Sequence, residues 1–137
     1  MFKHMGNGCL STVVNHPDDH DRIIFLCFDP CHIIKNVQSQ FLERKLTDGT
    51  GVVSGMFVQT LYDYQKDMTI KLARNMTRKH VCPSNLEKMN VLRAVQIFSP
   101  QVVAVLEHLQ ENACGDPALY VFKDASPTIR FMKTVKE

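Results

Sequence analysis

Residues Arg22 to Val37 read RIIFLCFDPCHIIKNV, and their order decides what kind of fold this chain can have. Ile23 to Phe28 form a run of six apolar residues rich in β-branched and aromatic types, which predicts a buried strand covered on both faces. Asp29 stands at the C-terminal end of that strand. Pro30 fits the first turn of a helix, where its missing N–H costs nothing, and Asp29 can accept from the orphan amides as an N-cap. A second reading of Asp29 rests on its position, because open α/β sheets gather ligands and metal-binding carboxylates beyond the carboxyl ends of their strands. Both readings, cap and ligand, stay open on the residues alone.

Working outward, the N-terminal stretch to Asp21 is rich in Gly, Asn and Asp and reads as loop with at most a short strand at Ser11 to Val14. The helix opened by Pro30 is expected to run to about Lys45, with Ile33, Ile34, Val37, Phe41 and Leu42 on one face. Thr47 to Gly51 reads as a turn and a candidate domain boundary, and Val52 and Val53 as a brief pairing segment. Met56 to Gln65 is expected to be helical. The stretch Met68 to Ala73 is ambiguous.

Capping chemistry then recurs. Ser84 to Glu87 is a capping box, followed by an expected apolar stripe of Leu86, Met89, Leu92, Val95 and Ile97. Ser99-Pro100, Asp116-Pro117 and Ser126-Pro127 each combine an N-cap with a proline at the first helical position. These predict a helix carrying Val102, Val103, Val105, Leu106 and Leu109, a short helix at Ala118 to Phe122, and a last one from Thr128 to Lys136. Four or five helices with short connections imply a compact bundle.

The 137 residues are 45% hydrophobic and 22% charged, a globular composition for one domain of ordinary size. No stretch approaches the roughly 20 apolar residues of a membrane span, and the N-terminus lacks the apolar core of a signal peptide, which reads as an intracellular protein. Five cysteines without regular spacing argue against a disulfide framework. Cys27, Cys31 and His32 lack the paired spacing of a zinc site and read as buried thiols and a partly buried histidine. No Gly-x-x-x-x-Gly-Lys-Ser/Thr pattern occurs, which excludes a P-loop. Lys66 to Arg93 holds seven basic and two acidic residues, a local +5 within a chain of net +2, as a phosphate-binding surface or a solvated helix face would.

FDPCHIIKNV, with NHPDDHDRIIFLC before it and QSQFLERKL after it, resembles the P-element and THAP-type DNA transposases, in which an FDPxHLxKxxRN segment closes the first part of an RNase H-like domain. KLARNMTRKHVCPSNLEKMNVLRAVQIFSPQVVAVLE is similar to a second family segment, KLAPKLTxKHxxPxxxxKMKVxxAAQVFSxxVAxxL. The two motifs stand in the expected order and cover nearly the whole chain.

The resemblance implies an α+β, mostly helical fold: a short buried strand and helix from a split RNase H-like domain (residues 1–48), then part of a helical GTP-binding insertion domain (residues 49–137). It implies DNA as partner, Mg²⁺ and GTP as cofactors of the intact protein, and a nuclear location. Asp29 would be the second carboxylate of a metal-binding acidic triad. With the other two outside this chain, the fragment is expected to be inactive alone, a piece of a transposase or a decayed copy.

For the nucleotide, Asp67 would accept from a guanine edge and Lys79, Lys88 and Arg93 would meet phosphates. Here Asn75 and Asn90 stand where the family segments carry lysine, and Gln38 where they carry arginine. The alternatives to a transposase piece are a domesticated guanine-nucleotide- or DNA-binding module and an unrelated helical interaction protein.

Overall fold

The computed structural model describes residues 12–136, which divide into two compact units between Pro30 and Cys31. In the first, β1 (Val13–Asn15) and β2 (Ile23–Phe25) pair antiparallel in the register Val13↔Phe25, Val14↔Ile24, Asn15↔Ile23. Leu26 N–H donates to Thr12 O at 2.7 Å and prolongs the ladder by one bond. The connecting loop is closed by its acids: Asp21 N–H donates to Asp19 Oδ1 at 3.2 Å and Arg22 N–H to Asp19 O at 3.0 Å. The expected buried six-residue strand is a three-residue strand with Ile23 58% and Phe25 76% exposed, and Phe28 beyond it is exposed as well. A two-stranded hairpin has no second layer to lay over its apolar side chains. The early strand expected near Ser11 to Val14 is found from Val13 onward, Ser11 lying outside the described residues.

The second unit begins with α1 (Pro30–Glu43), whose first residue is the predicted proline. Phe41 is fully buried, Ile34, Val37 and Leu42 pack against the core, and Ile33 is exposed. Gln38 lies on the same inner face, 1% exposed. The helix stops two residues early because Lys45 starts β3 (Lys45–Thr47), which pairs antiparallel with β4 (Val52–Ser54). Asp48 builds the turn between them, accepting from Thr50 N–H at 2.9 Å, the Thr50 hydroxyl at 2.6 Å and Gly51 N–H at 3.2 Å. Gly49 adopts φ +86° there, a conformation that glycine reaches without steric cost. The expected turn at Thr47 to Gly51 is thus the tip of a hairpin inside this unit.

Gly55 follows β4, and a Cβ on it would meet Phe41 O at 2.7 Å. This close approach lets α2 (Met56–Gln65) bury Phe57, Val58 and Leu61. After an irregular stretch come α3 (Arg78–Val81), a 3₁₀ turn (Glu87–Met89), α4 (Val91–Ile97), α5 (Pro100–Glu111), a 3₁₀ helix (Pro117–Asp124) and α6 (Ser126–Lys136). Ser99 and Asp116 cap as expected, accepting from Val102 N–H and Ala118 N–H. Phe41, Phe98 and Phe131 stack at the centre with ring centroids 5.4 to 6.4 Å apart. The buried Thr128 hydroxyl accepts from Ser54 N–H at 3.1 Å, tying the β3–β4 hairpin to α6.

One stripe did not form. Leu86, Met89, Leu92 and Val95 are 83%, 68%, 66% and 50% exposed, and of the expected stripe Ile97 is buried, with Ala94 beside it in the core. Asn90 explains this: in an extended conformation (ψ 104°) it ends the 3₁₀ turn and caps α4, breaking the helical phase on which the expected face depends. The architecture is α+β and mostly helical, and no helix among the described residues is long and apolar enough to cross a membrane.

Candidate functional site

A cleft of about 320 Å³ opens between the 73–76 turn, α3, α4 and the start of α5. Its position follows from a chain of polar anchors. Gln65, the last residue of α2 and 1% exposed, clamps Ala73 from both sides: its Oε1 accepts from Ala73 N–H at 2.9 Å and its Nε2 donates to Ala73 O at 3.1 Å. A buried amide with both ends satisfied fixes the segment it grips. Met76 N–H then donates to Ala73 O at 3.1 Å, closing a turn with Arg74 and Asn75 at its corners.

Thr77 and His80 form a capping box at the start of α3. His80 Nδ1 accepts from Thr77 N–H at 3.1 Å, so the ring proton sits on Nε2, which donates to Gln96 Oε1 at 2.7 Å. His80 is 6% exposed and fixes α3 against α4. The cleft wall therefore presents Asn75, His80, Gln96, Ser99 and Gln101, amides, an imidazole and a hydroxyl, beside the apolar Met76 and Ile97.

The four residues expected to hold a nucleotide are only partly brought together. Lys79 Nζ and Arg93 Nη1 converge on Glu87 Oε1, at 3.5 and 3.3 Å. Each is one turn or less from a cleft residue, His80 and Gln96. Lys88 instead pairs with Glu43 of α1, and Asp67 lies exposed after α2, joined to none of the others by an ion pair among the described residues. Glu87 is held as the capping box predicts, accepting from Ser84 N–H at 3.0 Å. That backbone bond, then the Ser84 hydroxyl and the two cations, keep its carboxyl below the usual range against a smaller opposing effect of burial. Asn90 is engaged locally, its side chain accepting from Arg93 N–H at 3.1 Å as the N-cap of α4. Asn75 is left facing the cleft.

Asp29 is exposed immediately before α1. Among the described residues no three His, Cys, Asp or Glu side chains gather where a metal ion could bind, so the residues present do not make a metal site by themselves. Cys27, Cys31 and His32, expected to be buried or partly buried, are exposed, and no disulfide joins any two of Cys27, Cys31, Cys82 and Cys114.

The Gln65 clamp and the His80–Gln96 bond were not foreseen. His80 and Gln96 are 16 residues apart, and only the fold juxtaposes them. Thr77-x-x-His80 was a readable signal, since a side chain at the third helical position can return to the N-cap amide. A wider groove of about 900 Å³ lies between the β3–β4 hairpin and α6 and carries Lys45, Lys123 and Arg130. Its charge is largely engaged: Arg130 pairs with Asp48 at 3.2 Å, Lys123 lies over the Tyr120 ring at 5.3 Å, and Asp124 is in the wall.

Residues 31–137 match the family described as TNP-like, GTP-binding insertion domain. No curated protein matches the chain. Among solved structures, the Drosophila P element transposase strand transfer complex is similar, with a TM-score of 0.72 and 21% identity over 92% of this chain. The similar region covers 27% of that chain. With the family match extending over most of its length, the chain belongs to the TNP-like GTP-binding insertion domain family.

Proposed function

We propose that the cleft bounded by Asn75, His80 and Gln96 is a guanine-nucleotide site, working within a transposase that acts on DNA in the nucleus. The observation that carries this reading is the wall itself: neutral donors and acceptors suited to a base edge, flanked by the most basic segment of the chain. Lys79 and Arg93 are the part of the expected set beside the cleft, and a phosphate competes with Glu87 for them. The exchange costs least at Lys79, which is 62% exposed, because exposed ion pairs contribute only about 0.2–1 kcal/mol, whereas Arg93 and Glu87 are half-buried.

In the intact protein Asp29 serves as one metal-binding carboxylate of an RNase H-like catalytic domain, whose contribution here is the hairpin and the strand-to-helix turn. Two bound Mg²⁺ ions would supply activation of the attacking oxygen and stabilisation of the leaving one. Titration of the protein with fluorescently labelled GTP at physiological salt tests the nucleotide reading. Saturable binding competed by unlabelled GTP is expected, and its absence contradicts it.

A further inference from the structure

Seven cations lie between Lys66 and Arg93, and five of them are engaged by the protein itself. Lys66 pairs with Asp63, Lys79 and Arg93 with Glu87, Lys88 with Glu43, and Lys71 Nζ donates to the carbonyls of Gln65 and Lys66 at the end of α2. The remaining two, Arg74 and Arg78, are exposed and their side chains make no hydrogen bond, ion pair or ring contact with a described residue. We infer that Arg74 and Arg78 bind the phosphates of a nucleotide seated in the cleft in addition to Lys79 and Arg93, an assignment that rests on the guanine-nucleotide reading.

Their placement supports this. Arg74 is a corner of the turn whose other members, Ala73, Asn75 and Met76, all line the cleft, and Gln65 holds that turn rigidly. Arg78 opens the helix that carries His80 into the wall. No acid occurs between Asp67 and Glu87, so nothing nearby in sequence offsets the two guanidiniums. Unlike Lys79 and Arg93, they need release no carboxylate before binding. Each planar guanidinium can offer two parallel N–H donors to a phosphate.

The test compares GTP with guanosine on the 137-residue protein, varying salt, for wild type, R74A, R78A, the double variant, R74K, and K45A as a charge control on β3. Wild type is expected to prefer GTP, with the preference shrinking as salt rises. Each arginine-to-alanine change should weaken GTP about ten-fold or more, the size of a lost charge-assisted contact, and leave guanosine unchanged. R74K should recover part of the loss and K45A should change GTP less than about two-fold on the same scale. Both arginines are exposed, and unchanged thermal melting checks that the variants fold. If wild type prefers GTP and the double variant does too, the assignment is overturned and the nucleotide site stands. If wild type binds neither ligand, the site and the assignment fall together.

Discussion

Replacing Glu87 by glutamine removes the negative charge that Lys79 and Arg93 share and keeps a side chain able to satisfy Ser84 N–H. Labelled GTP should then bind more tightly by about two-fold or more, the worth of freeing partly exposed pairs, and equal affinity would show that these cations do not reach the phosphates. Gln38 makes a second case. Its Nε2 is buried with no hydrogen-bond partner among the described residues, a state that costs about 1–3 kcal/mol. Gln38→Met removes the orphan donor at similar volume, so denaturant melting should show stabilisation of about 1 kcal/mol or more. A loss of stability would mean that the amide is satisfied in solution. In sequence that position stood out only as the one where the similar family segment carries arginine.

Among the elements, those written in local chemistry were readable and those made by distant partners were not. Ser99-Pro100, Asp116-Pro117 and Pro30 each start a helix where predicted, because a cap and its amides lie within three residues of each other. β3 was missed: Lys45-Leu46-Thr47 is three residues long and forms only because Asp48 and Gly49 turn the chain back onto Val52–Ser54. The stripe from Leu86 to Val95 was misread because a continuous helix was assumed across Asn90. Asn90→Ala should therefore cost about 1 kcal/mol as a lost N-cap, measured by chemical denaturation. Gly55→Ala should cost about 1–3 kcal/mol, since the new methyl meets the backbone at Phe41 O and Leu42 Cα.

The Asp48 turn also predicts a pH response. The Thr50 hydroxyl, then backbone N–H groups and Arg130, hold its carboxyl down at about 2, below the usual carboxylate range. A depressed carboxyl stabilises the fold above its unfolded pKa and loses that contribution as pH falls through the folded one. Acid unfolding of wild type should accordingly steepen between about pH 4 and 2 in a way that Asp48→Asn does not. An identical acid profile for the two would remove the turn from the account.

For the whole molecule, the basic segment 66–93 was legible from composition, but which cations are available was not, because each ion pair joins residues that only folding brings together. Glu43 and Lys88 are 45 residues apart, and their pairing draws Lys88 to α1. The Asp29 segment shows the same distinction. Its strand-to-helix order was plain, whereas the cover expected over Ile23 to Phe28 depends on a sheet broader than two strands. The central claim is that a guanine nucleotide occupies the cleft between the 73–76 turn and α4. An amide NMR titration with GTP tests it most directly: the account predicts saturable shifts centred on Asn75, Met76, His80 and Gln96, and shifts confined to the Lys45, Lys123 and Arg130 groove would contradict it.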